Sequence, residues 1–441
     1  MNKKVIALFL IMASQQIQAQ TLAPSPAQNF NRKETVLVAG KKTDADVLSL
    51  TVDNKSTVYE YHDGAGRPIQ KVGRQASPLK NDLIQPIVYD NKGRPSIGYL
   101  PYRSTATNGG YRTSAVSEQG TFFSSPPAGV TGDTRPRTNT VYEDSPLDRV
   151  LKSTKTGLDF DNKFVEVVNL VNVSTDFAVR KWEVVNGLPR STTTYPNNTL
   201  SIVQTKDEQN HLNREYTDWL GRTVLTQVQS AASVWMSTYY VYNDYNELMF
   251  LIPPASSATL TPDSTHSNLW HFRYEYDDLG RQIGSKAPGT DWVYTIYDRW
   301  DRPVLSQDGV QRAKSTPEWT YVKYDSHNRP IITGIFTSSS TRATLTSNVA
   351  AASGRFESRN TSAQGYSLNV SYPTTALDAS ILSITYYDDY SFRTNIGWSN
   401  DNFLYAFQEV PEWLLTSFNT AVKGQVTGSK SRSQGTDVGW V

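Results

Sequence analysis

The sequence predicts a mostly β protein, in which consecutive antiparallel hairpins form a curved, spiralling sheet with one or two short helices. Three observations predict this fold. A short turn motif recurs along the chain, the residues around each copy alternate between apolar and polar, and the composition includes 25 tyrosines but no cysteine. Alternation with a period of two is the pattern of a half-buried strand, and tyrosine is enriched in strands.

The recurring motif consists of Asp, two free positions, a residue that tolerates positive φ, and Arg. Degenerate copies begin near Tyr142, Tyr242 and Tyr386. A unit that returns in this way is typical of repeat architectures. The first, fourth and fifth residues of the six clean copies are Asp63, Gly66 and Arg67; Asp90, Gly93 and Arg94; Asp218, Gly221 and Arg222; Asp277, Gly280 and Arg281; Asp298, Asp301 and Arg302; and Asp325, Asn328 and Arg329.

Each part of the motif suits a hairpin turn. Asp at the first position accepts hydrogen bonds from backbone amides two residues further on, and Gly, Asn or Asp at the fourth position tolerates a left-handed backbone. Together they predict a type I turn followed by a left-handed residue and a bulge. The Asp residues are therefore predicted to form turns, because six equivalent acids cannot all belong to one active site. The Arg residues are expected to pair with an Asp of the same or a neighbouring copy, or to stack on tyrosine.

This unit resembles the YD repeat of the RHS (rearrangement hotspot) family, which is also found in teneurins. The resemblance extends from about residue 55 to about residue 435 and implies a long β-sheet around a hollow interior. In complete members that shell often encloses a C-terminal toxin. The stretches that are similar to the N-terminal domain of exported bacterial RHS-repeat proteins are "DGAGRPIQKVGRQASP" (63–78), "DNKGRPSIGYLPY" (90–102), "YEDSPLDRV" (142–150), "APGTDWVYTIYDRWDRPVLSQDGVQR" (287–312) and "KYDSHNRPIITGI" (323–335).

The predicted domain organisation follows the repeats and the polar stretches between them. No Asp-Pro-x-Gly core motif and no variable tail are found, so the array is expected to be incomplete, as a piece of a longer protein or as a shortened member. The predicted segments are a signal peptide (1–20), an N-terminal segment with two hairpins (21–102), an irregular Ser/Gly/Pro-rich excursion (103–140), a β subdomain (141–210), further hairpins (211–336), and a short helix or linker with a final β segment (337–441).

Two interruptions of the array carry their own signals. Residues 253–268 begin with two prolines and predict a long surface loop. In the last segment, Thr341 is a candidate N-cap and Gly354 lies beyond the end of a candidate short helix. A disordered Ser/Thr-rich linker is the alternative for that segment.

The first residues predict export. Lys3 and Lys4, the apolar stretch from Val5 to Ala13, and the small residue Ala19 form a secretory signal peptide that is too short to cross a membrane. An exported chain without cysteine must bury a real core, because it has no disulfides. The expected location is extracellular or at the cell surface, with the periplasm as the alternative, and no transmembrane span is expected in the mature chain. The 43 Lys and Arg nearly balance the 42 Asp and Glu, so no nucleic-acid partner is expected.

No catalytic constellation is recognisable, so the chain is predicted not to be an enzyme and to need no cofactor or metal. The histidines, which include His266 and His271, lack the spacing of zinc ligands and are interpreted as structural. The nearest approach to an enzyme signal is an acid beside a tryptophan, because glycosidases flank carboxylate pairs with sugar-stacking rings. The candidates for stacking on a ligand are Trp219, Trp292 and Trp300.

Two functions remain from the sequence. The first is a non-enzymatic structural part of an exported RHS/YD-repeat shell that encloses or displays a C-terminal cargo domain, such as a toxin. Its partner would be the remainder of the same polypeptide or the cargo. The second is a cell-surface module that binds a glycan or a partner protein through exposed aromatic side chains.

Overall fold

The computed structural model describes residues 25–41, 43–231, 234–375, 378–395 and 422–433. The predicted signal peptide at 1–20 lies outside these residues. The described chain forms two compact units. The first contains the described residues up to Val173, Asn197–Arg222 and Thr226–Met236, and the second contains Ser174–Pro196, Thr223–Leu225 and the described residues from Ser237 onward.

The protein is mostly β, as predicted. Twenty-two of the described strands belong to one sheet, and β10 and β11 form a separate two-stranded sheet. Consecutive strands pair as antiparallel hairpins, for example β2 with β3 and β21 with β22. The strands are β1 Asn29–Val36, β2 Lys55–His62, β3 Pro68–Arg74, β4 Leu83–Tyr89, β5 Pro95–Tyr99, β6 Tyr102–Arg103, β7 Arg137–Tyr142, β8 Val150–Ser153, β9 Val165–Val171, β10 Arg180–Val185, β11 Leu188–Thr194, β12 Ser201–Lys206, β13 Leu212–Thr217, β14 Thr223–Ala231, β15 Val234–Tyr242, β16 Leu248–Ile252, β17 Phe272–Tyr276, β18 Gln282–Lys286, β19 Val293–Tyr297, β20 Pro303–Gln307, β21 Glu318–Tyr324, β22 Pro330–Thr337, β23 Ile381–Tyr387 and β24 Val426–Ser431.

The described residues contain more helix than the one or two short helices that were predicted. The helices are α1 Asp44–Leu48, α2 Ala115–Ser124, α3 Ser264–Trp270, α4 Gly309–Arg312, α5 Arg342–Ala351 and α6 Phe392–Asn395, with 3-10 turns at Leu158–Phe160, Pro254–Ser256 and Asp378–Ser380.

Helix α5 begins at the predicted N-cap, because the Thr341 side chain accepts a hydrogen bond from the backbone N–H of Thr344 (3.2 Å). Helix α2 lies within the segment that was predicted to be irregular, and α3 lies largely within the predicted surface loop at 253–268. Asp263 caps α3 through the backbone N–H of His266 (2.7 Å). The prolines at the start of that loop therefore precede a short capped helix, which corrects the prediction.

The core of the first unit lies beneath a segment that we call the first cover, residues 104–134, which includes α2. Buried side chains of the strands, among them Tyr61 and Ile84, pack with Ala115 and Phe123 of this helix. Apolar contact of this kind is the main source of stability in such a core. The first cover therefore closes one face of the N-terminal hairpins.

The core of the second unit lies beneath the second cover, residues 338–375, which includes α5. Leu345 and Val349 of the helix are buried in the same cluster as Trp319 and Tyr321 of β21. The ring of Tyr386 also stacks on Tyr366 of this cover (5.7 Å between ring centres). Each unit thus has a hairpin sheet with a helix-bearing segment packed on one face.

Candidate functional site: the turn ladder

The six clean motif copies fold as the same hairpin turn. In the copy at 277–281, the backbone N–H of Asp277 donates to the carbonyl of Arg281 (3.0 Å), and that of Gly280 donates to the carbonyl of Asp277 (2.9 Å). The Asp277 carboxylate accepts from the backbone N–H groups of Leu279 (3.0 Å) and Arg281 (2.9 Å), and from Nε of Arg281 (2.8 Å). One carboxylate therefore satisfies three donors of its own turn.

The fourth residue of each copy has a left-handed backbone. The φ values are 79° at Gly66, Gly93 and Gly221, 73° at Gly280, 60° at Asp301 and 61° at Asn328. This conformation is strained for most L-residues and is tolerated best by Gly, Asn and Asp. The restricted choice at the fourth position follows from that backbone requirement.

A further copy at 207–211 escaped the sequence analysis. Asp207 accepts from the backbone N–H groups of Gln209 (2.9 Å) and His211 (2.8 Å), and Asn210 has φ 69°. The ring Nδ1 of His211 lies 2.8 Å from Asp207 Oδ2, where the other copies have Arg Nε. The motif as defined from the sequence has Arg at the fifth position, whereas the signal that identifies this turn is Asp followed three residues later by Asn.

Four of the arginines, Arg94, Arg281, Arg302 and Arg329, also donate a hydrogen bond to the next turn of the same unit. Arg281 Nη1 donates to Oδ1 of Asp301 (2.8 Å), and Arg302 Nη1 donates to Oδ1 of Asn328 (3.1 Å). In the first unit, Arg94 Nη1 donates to Oδ1 of Asp148 (2.9 Å). In these turns the side chain of the left-handed residue is the acceptor for the preceding Arg.

Tyrosines complete the connection between neighbouring turns. In five places the residue before a turn is a Tyr whose ring lies under the Arg of the preceding turn, an arrangement that favours cation–π attraction. The same Tyr hydroxyl donates to the carbonyl one residue after that Arg, as from Tyr324 to Pro303 (2.7 Å) and from Tyr89 to Pro68 (2.8 Å). The distances from guanidinium carbon to ring centre are 4.8 Å for Arg67 and Tyr89, 4.7 Å for Arg94 and Tyr142, 5.0 Å for Arg281 and Tyr297, 4.6 Å for Arg302 and Tyr324, and 4.2 Å for Arg329 and Tyr387.

We call this set of Asp, Arg and Tyr contacts the turn ladder. Several of its carboxylates have a lowered pKa. Hydrogen bonds from the Arg67 backbone lower the pKa of Asp63, and the Arg149 side chain lowers the pKa of Glu143 to about 2. In the second unit the Arg329 side chain, which donates from Nη2 to Oδ2 (2.6 Å), lowers the pKa of Asp388. Carboxylates of this kind are acceptors that hold the turns and are poorly suited to donate a proton in catalysis.

The three candidate stacking tryptophans lie in different surroundings. Trp219 is 85% exposed at the tip of its turn. Trp292 stacks on Tyr294 (6.1 Å, interplanar angle 8°) and lies 5.2 Å from the Arg273 guanidinium. Trp300 has the guanidinium groups of Arg299, Arg302 and Arg355 at 5.5, 5.3 and 5.9 Å. Trp292 and Trp300 therefore have protein side chains against their rings.

A buried ion pair in the second unit was not predicted. Lys323 Nζ donates to Oε1 of Glu357 (3.0 Å) and to the carbonyls of Ser371 (2.7 Å) and Pro373 (2.9 Å). Both charged side chains have an exposure of 0%. Burial lowers the pKa of Lys323, whereas the Lys323 charge and hydrogen bonds from Ser367 and Ser371 lower the pKa of Glu357 despite its burial. Alternation in β21 puts Lys323 on the same face as Trp319 and Tyr321. A lysine on this apolar face was the one feature of the sequence that could have indicated a buried ion pair.

Two histidines of the second unit share one serine hydroxyl. Oγ of Ser256 lies 2.7 Å from Nε2 of His266 and 2.8 Å from Nε2 of His271, whose Nδ1 lies 3.1 Å from Oγ of Ser267. Burial, with the nearby charges of His266 and Arg273, lowers the pKa of His271 to about 4. A hydroxyl beside an imidazole is the arrangement of an activated nucleophile. Ser256 and His271 are only 1% and 0% exposed, however, so the hydroxyl is closed to a substrate.

The described part of the chain has neither a metal-binding cluster nor a membrane-spanning helix. There, no three His, Asp or Glu residues are grouped so that they could hold a metal ion. Among the same residues no helix has the length and apolar character needed to span a membrane.

Part of the chain matches a known family model. Residues 34–169 match a domain of unknown function, DUF6443. The matched region includes the first two clean turns and all of the first cover. No curated protein matches the sequence.

Several solved structures are similar to this chain, and three of them follow. A TcdB2-TccC3-TEV structure has a TM-score of 0.42 and 15% sequence identity, and the match covers 76% of this chain and 15% of that one. For TcdB2-TccC3 the values are 0.41 and 14%, with 86% and 17% covered. For the Photorhabdus luminescens Tc holotoxin pore they are 0.41 and 14%, with 88% and 17% covered. The chain thus spans less than a fifth of the length of each of these chains.

Proposed function

We propose that this chain is a non-enzymatic structural part of an RHS/YD-repeat shell, which is exported and which encloses or displays a cargo domain. The location we propose is extracellular or at the cell surface. The partner is the remainder of the same polypeptide or the cargo itself.

The turn ladder is the observation that carries this proposal. Four arginines, Arg94, Arg281, Arg302 and Arg329, each join their own turn to the next through a carboxylate or amide acceptor and a tyrosine ring. Contacts of this kind repeat along a sheet and tie neighbouring hairpins together, as a wall requires. The recurring Asp, Arg and Tyr groups of these copies are engaged in contacts that hold the turns, which favours a structural role over a catalytic one.

Glycan binding has less support. It requires exposed aromatic faces, and of the three candidate rings Trp219 is the one that lies open at a turn tip, whereas Trp292 and Trp300 pack against arginines. A single exposed ring is common on protein surfaces. We therefore do not propose this function.

The first experiment is to sequence the reading frame beyond the codon for Val441. The shell proposal expects further Tyr-Asp units followed by a variable tail. The complete exported polypeptide is then treated with protease, with the isolated tail as the control. A tail that resists cleavage inside the polypeptide but is cut when isolated supports enclosure. A stop codon directly after Val441, or a tail cut equally fast in both forms, would contradict enclosure.

A further inference from the structure

The loop between β16 and β17 is organised around the four polar side chains that we call the histidine cluster, Ser256, His266, Ser267 and His271. Three of them, Ser256, Ser267 and His271, are buried at 1% exposure or less. His266 and Ser267 lie on α3, whereas Ser256 lies on the preceding 3-10 turn. The cluster therefore joins the two ends of the loop, residues 253–271, to each other.

The hydrogen bonds of the cluster suit neutral imidazoles. A serine hydroxyl has one proton, so Ser256 donates to one Nε2 and accepts from the other. If both rings became cations, each Nε2 would carry a proton and would be a donor. The hydroxyl proton of Ser256 would then have no ring nitrogen to accept it. Two positive rings whose centres are 5.5 Å apart would also repel each other.

The groups around the cluster offer little compensation for a second positive charge. Arg273 of β17 adds a like charge that acts against protonation of His271, and Phe250 of β16 presents a neutral ring to His271 (6.3 Å). The negative charge of Glu275 interacts with the Arg273 guanidinium. Asp263, on the helix side, has its Oδ1 engaged with the backbone N–H of His266 (2.7 Å). Proton uptake at this place is therefore costly as long as the loop remains docked.

The loop holds other parts of the second unit in place. The carbonyl of Leu260 accepts from the backbone N–H of Ser191 in β11 (2.9 Å), and the carbonyl of Asn268 accepts from the backbone N–H of Gly289 (3.1 Å). Among the described strands, β10 and β11 pair only with each other. The hydrogen bond from Ser191 to Leu260 therefore helps to hold that hairpin on the second unit.

From this arrangement we infer that the histidine cluster is an acid-sensitive switch, in which proton uptake by the buried imidazole undocks the 253–271 loop and frees the β10–β11 hairpin. Histidine is suited to this role because its ordinary pKa lies between pH 6 and 7. The inference is independent of the shell proposal, since it concerns one loop of the second unit.

Hydrogen exchange at pH 7 and pH 4, corrected for the intrinsic pH dependence of exchange, tests the switch. We expect the protection of the Ser191 and His271 amides to fall at least about tenfold at pH 4, since one unit of pKa shift corresponds to a factor of ten. The Leu345 amide in the second cover, which donates to Thr341 (3.0 Å), is the internal reference and should change less.

Two variants and a direct titration make the result specific. In His271→Gln the amides of the loop should have the same protection at both pH values, whether the loop is docked or not. The control His211→Gln should behave as the wild type, because that ring is exposed at a turn. The NMR signals of His271 should titrate together with the loss of protection. A wild-type loop that is equally protected at both pH values, or a His271→Gln loop that keeps the wild-type pH response, would overturn the inference.

Discussion

The first and second covers both pack on a hairpin sheet, but different polar contacts hold them there. In the first, the Asp82 carboxylate is buried and accepts from the backbone N–H groups of Gly109 (2.7 Å) and Gln75 (2.9 Å), and Gln70 exchanges two hydrogen bonds with the backbone of Arg112 (2.9 Å each). In the second, a full ion pair is buried. The difference shows that a hairpin sheet can hold a cover through backbone hydrogen bonds or through charge.

The two solutions differ in what happens when one partner is lost. A removed hydrogen-bond acceptor leaves neutral amides unsatisfied, whereas a removed carboxylate leaves a buried ammonium without a counter-charge. The second cover should therefore be the more sensitive to a single substitution.

The largest effect is expected from Glu357→Ala. Lys323 would remain buried without its counter-ion, and breaking such a pair from one side costs about 3–5 kcal/mol. The free energy of unfolding should fall by that amount, measured by urea denaturation of the second unit. The double variant Lys323→Met with Glu357→Gln should recover part of the loss, because no charge is then buried alone.

The exposed pair Lys314–Glu318, with an N–O distance of 2.7 Å, provides the control. Lys314→Ala should cost less than about 1 kcal/mol. If Glu357→Ala costs no more than this control, the second cover does not depend on its ion pair.

Beneath the first cover, Asp82→Ala should cost about 2–3 kcal/mol, because the N–H groups of Gly109 and Gln75 would lose their acceptor. Asp82→Asn keeps one acceptor oxygen and should cost less. Hydrogen exchange at the Gly109 amide reports the effect directly. Equal exchange in all three proteins would show that the first cover is held by its apolar contacts alone.

A further prediction concerns the left-handed turn residue, which occurs in the hairpin turns of both units. Gly66 has φ 79° and Gly64 does not have a left-handed backbone, yet a Cβ at either glycine would meet no atom within 4 Å. Gly66→Ala should therefore cost about 1–2 kcal/mol through backbone strain alone. Gly64→Ala, the matched control, should be neutral or slightly stabilising. Thermal denaturation of both variants decides this, and equal melting temperatures would contradict the left-handed turn.

The smallest effect is expected from pH in the first unit. The Arg149 side chain lowers the pKa of Glu143 from 4.5 to about 2. A carboxyl whose folded pKa is depressed stabilises the fold above its unfolded pKa and loses that contribution as the pH falls from about 4.5 to about 2. Glu143→Gln should flatten this part of the stability profile. An unchanged slope in the variant would mean that other carboxylates dominate it.

Local features of this molecule were predictable from sequence, and distant ones were not. The turn at 277–281 is determined by five adjacent residues, and the start of α5 by Thr341 and its near neighbours, so their chemistry is readable in the sequence. Helix α2 contains Gly120 and aromatic residues that favour helix weakly, and it is stabilised by packing on the sheet. The Lys323–Glu357 pair joins residues 34 positions apart, which a strand pattern reveals only as a lysine on an apolar face.

The nearest-neighbour character of the turn ladder has a consequence for how such chains change in length. Among the described residues, the hydrogen bonds of the Arg281 side chain go to its own turn and to the turn at Asp298 to Asp301, and its guanidinium lies over Tyr297 just before that turn. A duplicated hairpin therefore supplies both the acceptor and the donor that its neighbours need. We expect the array to gain or lose whole hairpins in evolution without redesign of the remaining ones, as in other modular assemblies with short-range coupling. A deletion that removes half a hairpin would instead leave an arginine without the acceptor of its neighbouring turn.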